Sequence, residues 1–174
     1  SPVVIPFIHN DLAFLSKKGG SCKLYQTTST DFTLPSLTET ALSANNLDNM
    51  FDGSPSYNII STKGEFTAVI DMSLHKMFQY SNVFYIDFGA SQWRAKNISV
   101  YVMNADLESA YVLKGSITDN TKGNWYVSIN HSVTVGTTTT QGFNRLRVVL
   151  SGFVTSSTTS GKRISQIGLL NYGS

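Results

Sequence analysis

Apolar and polar residues alternate in short runs along most of this chain. From Glu65, residues Phe66, Ala68, Ile70 and Met72 fall on one face and Thr67 and Asp71 on the other, the period of two that marks a half-buried strand. Ile98, Val100 and Val102 alternate with Asn97, Ser99 and Tyr101 in the same way, so 96–103 is a strand. Further strands are predicted over 22–28, 83–88, 111–117, 125–129, 143–150 and 164–170; the near-continuous apolar run at 83–88 implies burial on both faces. Between them, 73–82 reads as a long loop, 89–94 and 119–124 as turns, and 133–141, with Thr137 to Thr140 bounded by Gly136 and Gly142, as a loop. Pro6 restricts 3–8 to an edge or irregular extended piece, and 37–42 carries a weak helical pattern. Many short strands with turn signals and no long helix predict an all-β fold, an antiparallel β-sandwich or jelly roll.

The stretch from Asn46 to Met72 organises the rest, because a turn-rich loop there passes directly into a strand. Phe51-Asp52-Gly53-Ser54-Pro55-Ser56-Tyr57 gathers Asp, Gly and Pro, so the backbone turns sharply, with Gly53 free to take a positive φ.

Composition narrows the classes. A chain of 174 residues can bury a substantial core as one domain without needing a disulfide or metal to fold. Residues 1–30 read as an N-terminal extended segment and first strand, continuing an upstream element, and 31–174 as the sandwich, all within one domain cut from a longer polypeptide. Charged residues make up 14%, against about 25% in ordinary soluble chains, so Ser, Thr, Asn and Gln carry the surface, as suits extracellular or virion proteins. The net charge of +2 comes from scattered Lys and Arg with no basic run, which disfavours nucleic acid. Cys22 is the only cysteine, a passive thiol, and no apolar run reaches the roughly 18 residues of a membrane span.

Catalytic patterns are missing. There is no Gly-x-Ser-x-Gly, no His-Glu-x-x-His and no phosphate loop, and His9, His75 and His131 are far apart in sequence. Asp71, Asp87, Asp106 and Glu108 lie on or beside predicted strands, where solvated or hydrogen-bonded carboxylates are the ordinary outcome; glycosidase chemistry requires a specific separation of two of them. The sequence is therefore read as non-enzymatic, with no required cofactor.

Four segments carry a family resemblance: the Phe51-Asp52-Gly53 loop and its following strand, 85–102, 143–150, and 163–172 with Ile164-Ser165-Gln166-Ile167-Gly168-Leu169-Leu170. In this order over 46–172, they resemble discoidin-like (galactose-binding-like) jelly-roll domains. In many glycan-binding members the corresponding loop holds a structural calcium, so the resemblance implies Asp52 as a metal ligand together with carbonyls of its loop. The family usually completes that site with a glutamate on the closing strand; here the position is Gln166, whose amide oxygen brings no charge. Read alone, Asp52 is a residue that caps its own turn.

The Phe51 to Tyr57 loop, Trp93-Arg94-Ala95-Lys96-Asn97 and the closing strand also look like discoidin-like domains of bacteriophage tail fibres, which are elongated homotrimers. The resemblance implies a virion fibre module that is structural and recognises a bacterial surface glycan. The alternative is an accessory carbohydrate-binding module of a secreted glycan-degrading enzyme. Sugars stack their C–H faces on aromatic rings while their hydroxyls take directional partners. Trp93 and Arg94, adjacent in one turn, supply both, and Tyr57, Asn58 and Tyr80 complete the candidate ligand-binding set.

Overall fold

The computed structural model describes residues 10–27, 47–54, 58–60, 66–154 and 162–171, with 58–60 and 171 described by backbone alone. The weak helix expected at 37–42 lies outside these residues, as does Tyr57. Twelve strands are present among the described residues, all pairing antiparallel: β1 (Ser21–Thr27), β2 (Asn58–Ile60), β3 (Thr67–Phe78), β4 (Asn82–Asp87), β5 (Ala95–Met103), β6 (Val112–Ile117), β7 (Asn124–Ile129), β8 (Ser132–Val135), β9 (Thr138–Gln141), β10 (Phe143–Phe153), β11 (Lys162–Ile164) and β12 (Gln166–Asn171). A five-stranded sheet in the order β1-β3-β10-β5-β6 faces a three-stranded sheet, β12-β4-β7. This is the antiparallel discoidin-like jelly roll that the alternation and the ordered motifs lead one to expect.

The core lies between the sheets because every second side chain points there. In one cross-strand row Leu24, Ile70, Val148 and Val100 lie side by side, and Leu169, Phe84 and Val127 form a row of the opposing sheet. Phe51, Phe78, Phe84, Phe88 and Phe143 are fully buried, and burial of each such side chain contributes about 1.5–3 kcal/mol. Gly115, opposite Val100, stands where an added Cβ would come within 3.0 Å of Val127 Cγ2, so glycine permits the close approach of the sheets there.

The outer face of the five-stranded sheet holds a charged row. Asp71 and Arg147 are direct cross-strand partners, and the guanidinium donates from Nε to Oδ1 at 2.5 Å and from Nη2 to Oδ2 at 2.7 Å. Arg147 is 1% exposed, and its guanidinium lies 4.4 Å from the centroid of the Tyr111 ring. A charge buried this deeply must be paired and hydrogen-bonded, and the bidentate fork supplies both.

Two expectations fail, for definable reasons. The loop expected at 73–82 is largely strand, since β3 runs to Phe78. Its partner β10 moves only from Arg145 to Phe143 while β3 moves from Ser73 to Phe78, and this irregularity breaks the period-two pattern. The loop expected at 133–141 is the β8–β9 hairpin, turning at Gly136 with φ +63°. Its residues are almost all exposed, so it shows no apolar face to betray it.

Removing the carboxylate of Asp71 takes its bidentate partner from a guanidinium that is almost fully buried. Asp71→Ala is expected to lower the unfolding free energy by about 3 kcal/mol, measured by urea denaturation, whereas Asp106→Ala, at an exposed turn, changes it by less than about 0.5 kcal/mol.

Candidate functional site

Strand β4 ends at Asp87, and the chain reverses before β5. The Asp87 carboxylate accepts from the Gly89 amide at 2.8 Å, Gly89 takes φ +88°, and a short 3-10 turn, Ser91–Trp93, leads into Ala95. The loop before β7 packs directly on this turn: Phe88 N donates to Gly123 O at 2.8 Å, and a Cβ on Gly123 would lie 2.7 Å from the Ala90 carbonyl carbon. Only glycine allows that backbone approach.

Buried Asn120 joins the same two segments. Its Nδ2 donates to Ala95 O at 3.2 Å and Lys122 O at 2.9 Å, while its Oδ1 accepts from Lys122 N at 3.1 Å. Arg94 braces the assembly from the surface side, donating from Nε to Asn120 O at 2.7 Å and from Nη1 to Ser91 O at 3.0 Å. These two bonds engage two of the five guanidinium N–H groups.

Trp93 is half-buried, with its ring against the core cluster and the Arg163 guanidinium 3.6 Å from its ring centroid. Its Nε1 is buried and has no hydrogen-bond partner among the described residues. Arg163 arrives from β11, which pairs with β2; Ile59 faces Arg163, and Asn58 faces Ile164. Trp93, Arg94, Arg163 and the backbone of Asn58 thus meet at one end of the sandwich. Tyr80 does not join them. It sits before β4, at φ +64° and 54% exposed, and the six residues of β4 separate it from the Trp93 turn by roughly 20 Å.

The Asp52 loop lies at the Trp93 end as well, because β12 begins there with Gln166 opposite Asp87. Asp52 Oδ1 accepts from Ser54 N at 2.8 Å and from Gln166 Nε2 at 3.0 Å. The candidate carboxylates are otherwise dispersed: Asp71 binds Arg147, Asp87 caps its turn, and Glu108 Oε1 accepts from Asn104 N at 2.9 Å and contacts His131 Nε2 at 2.6 Å. Asp106 is exposed. Among the described residues no cluster of three His, Cys, Asp or Glu side chains could hold a metal.

Cys22 lines a surface cavity of about 360 Å³ with Leu15, Ser16, Leu47 and Asp48. Burial, with the charges of Asp71 and Asp48, pushes its thiol up to about 12, so it stays protonated at neutral pH.

Sequence reasoning placed Trp93 and Arg94 correctly on one turn but missed Arg163, Asn120 and the working part of Gln166. Asn120 had a signal, since Asn in an Asp-Asn-Thr-Lys-Gly turn is a natural loop cross-linker. Arg163 had none, because only strand pairing brings it to Trp93.

The sequence matches no protein-family model and no curated protein. Solved structures are similar in fold. The family 32 carbohydrate-binding module of EndoD from Streptococcus pneumoniae is 12% identical, with a TM-score of 0.53 over 88% of this chain and 97% of that one. Chitosan-binding module 2 of a chitosanase/glucanase from Paenibacillus sp. IK-5, solved with chitotriose, is 16% identical, with a TM-score of 0.55 over 92% and 100%. A fucosidase from Ruminococcus gnavus, in complex with fucose, is 15% identical, with a TM-score of 0.54 over 94% of this chain but 28% of its own.

The stacked guanidinium predicts a spectroscopic result. In a Trp125→Phe background, where Trp93 is the remaining tryptophan, Arg163→Ala is expected to raise acrylamide quenching of its fluorescence; unchanged quenching would mean that the ring face is not covered in solution.

Proposed function

We propose that this chain is a non-catalytic glycan-recognition module, and that it recognises its ligand at the Trp93 end of the sandwich. The observation that carries the proposal is the likeness of the whole chain, at nearly full length of both partners, to modules named for chitosan and carbohydrate binding. The loops at the Trp93 end add chemistry suited to it. Arg94 keeps N–H donors beyond the two it uses, Trp93 is half-buried, and Arg163 lies beside it. With Arg163 on one face of the indole, the sugar meets the ring edge and the two guanidinium groups. The backbone of Asn58 lies in the same region, paired with Ile164, whereas Tyr80 would serve a separate contact.

On the sequence resemblance, the module belongs to the fibre of a tailed bacteriophage, where a homotrimer presents three copies to a bacterial surface glycan. Avidity would then raise weak single-site binding, provided that all three sites reach one surface. Among the described residues no helix is long and apolar enough to cross a membrane. The second reading, an accessory module of a secreted glycan-degrading enzyme, is favoured by the fucosidase, in which the matched region is a minor part of a larger chain. A trimeric-stalk sequence beside this segment supports the fibre, and a catalytic domain supports the accessory module.

Binding is tested on a bacterial glycan array and on host cells with wild type, Trp93→Ala and Arg94→Ala, each in monomeric and trimer-forming versions. The expected outcome is retention of a glycan by the wild type, stronger in the trimer, and a loss of roughly 10-fold or more with either substitution, the loss of one aromatic-edge or charged hydrogen-bonding contact. A folded domain that retains no glycan and no cell in either version would leave a spacer role as the better account.

A further inference from the structure

The Asp52 loop resembles one that holds calcium in many discoidin-like modules, but its oxygens already converge on another group. Asn49 O, Asp52 Oδ1 and Ser54 O lie 2.8, 3.0 and 2.9 Å from Nε2 of Gln166. Those are N–H···O lengths, longer than the roughly 2.3–2.6 Å of calcium–oxygen contacts. The amide nitrogen stands at the focus of the loop, where a cation would have to stand, and shares its two hydrogens among three acceptors.

The orientation of the amide is fixed by its other half. Gly53 N donates to Gln166 Oε1 at 2.8 Å. Turning the amide over would set its NH2 group against the Gly53 N–H and its oxygen against three other oxygens, so every one of the four contacts would become repulsive. Gln166 therefore cannot offer its oxygen inward while the loop keeps this backbone, in which Gly53 takes φ +77°. Charge points the same way. Asp52 is the one carboxylate in the set, and its Oδ1 also caps the Ser54 amide; Asp87, opposite Gln166 in register, spends Oδ1 on the Gly89 amide. The residues present do not fit a calcium ion, which takes six to eight oxygens and binds more tightly as carboxylates are added.

We infer that the side-chain amide of Gln166 takes the place of a cation in this loop, holding Asn49, Asp52 and Ser54 together without metal. Gln166 is 1% exposed and begins β12, so the clamp ties the 47–54 segment to the three-stranded sheet. The difference between amide and cation is a single side chain. Glutamate at 166 would replace the donor with a carboxylate oxygen and leave a loop of oxygens that needs a cation.

The test is thermal unfolding of the wild type, Gln166→Glu and Gln166→Met, each in excess EDTA and in calcium. The wild-type Tm is expected to be the same in both, with no calcium binding by titration calorimetry. Both variants are expected to melt about 5–10 °C lower in EDTA, from the loss of several buried hydrogen bonds. Calcium should restore much of that loss in Gln166→Glu and none in Gln166→Met. A wild-type Tm that falls in EDTA and returns with calcium overturns the inference, as does a Gln166→Glu protein indifferent to calcium. Should that variant fail to fold in either condition, the wild-type comparison decides alone.

Discussion

Every backbone amide and carbonyl that the sandwich buries outside its ladders must find a partner, and this chain meets the demand with buried side-chain amides. Asn10 donates to Phe51 O and Ile167 O and accepts from Leu12 N and Leu169 N, stitching the N-terminal turns to β12. Asn120 joins the loop before β7 to the start of β5, and Gln166 gathers the 47–54 loop. An amide carries both donors and acceptors without charge, so it can serve a loop's N–H and C=O groups together in a dry site. Without these three groups the strands would still pack, but the loops around them would lose their fixed shape.

The same constraint explains how a chain with 14% charged residues uses its charges. Asp71 neutralises Arg147 inside the sheet, Asp87 and Asp52 cap turns, and Glu108 holds His131 and the Asn104 amide. Arginine does different work at the Trp93 end: Arg94 bridges two loops and Arg163 covers an indole. A guanidinium suits both tasks because it is planar, forked and weakly hydrated. The result is an end at which several loops are cross-linked on the strand scaffold, where functional residues commonly lie.

What the sequence revealed follows from where its patterns are uniform. The alternation at Ile98, Val100 and Val102 belongs to a strand with one face in the core, and its bounds came out within a residue. The alternation was lost at 73–82, where β3 and β10 fall out of step, and at 132–141, where neither face of the hairpin is apolar. The candidate site was legible to the extent that it is local: Trp93 and Arg94 share one turn. Arg163 reaches Trp93 through the pairing of β12 with β4, which sets Gln166 opposite Asp87, and Tyr80, an equally good aromatic on composition, is carried to the far end by β4. Gln166 was read as a weakened ligand because sequence shows the residue and not which half of its amide faces the loop.

The proposed function puts recognition at one end of the sandwich, and mapping contacts residue by residue tests that most directly. Amide chemical shifts would be followed by nuclear magnetic resonance while oligosaccharide fragments of a bacterial surface polysaccharide are titrated into the labelled domain. The account predicts shifts concentrated at 89–94, 119–123 and 162–166, with Arg94 and Trp93 side-chain N–H signals among them. Shifts confined to Tyr80 and the β8–β9 hairpin, or none with any glycan, would contradict it.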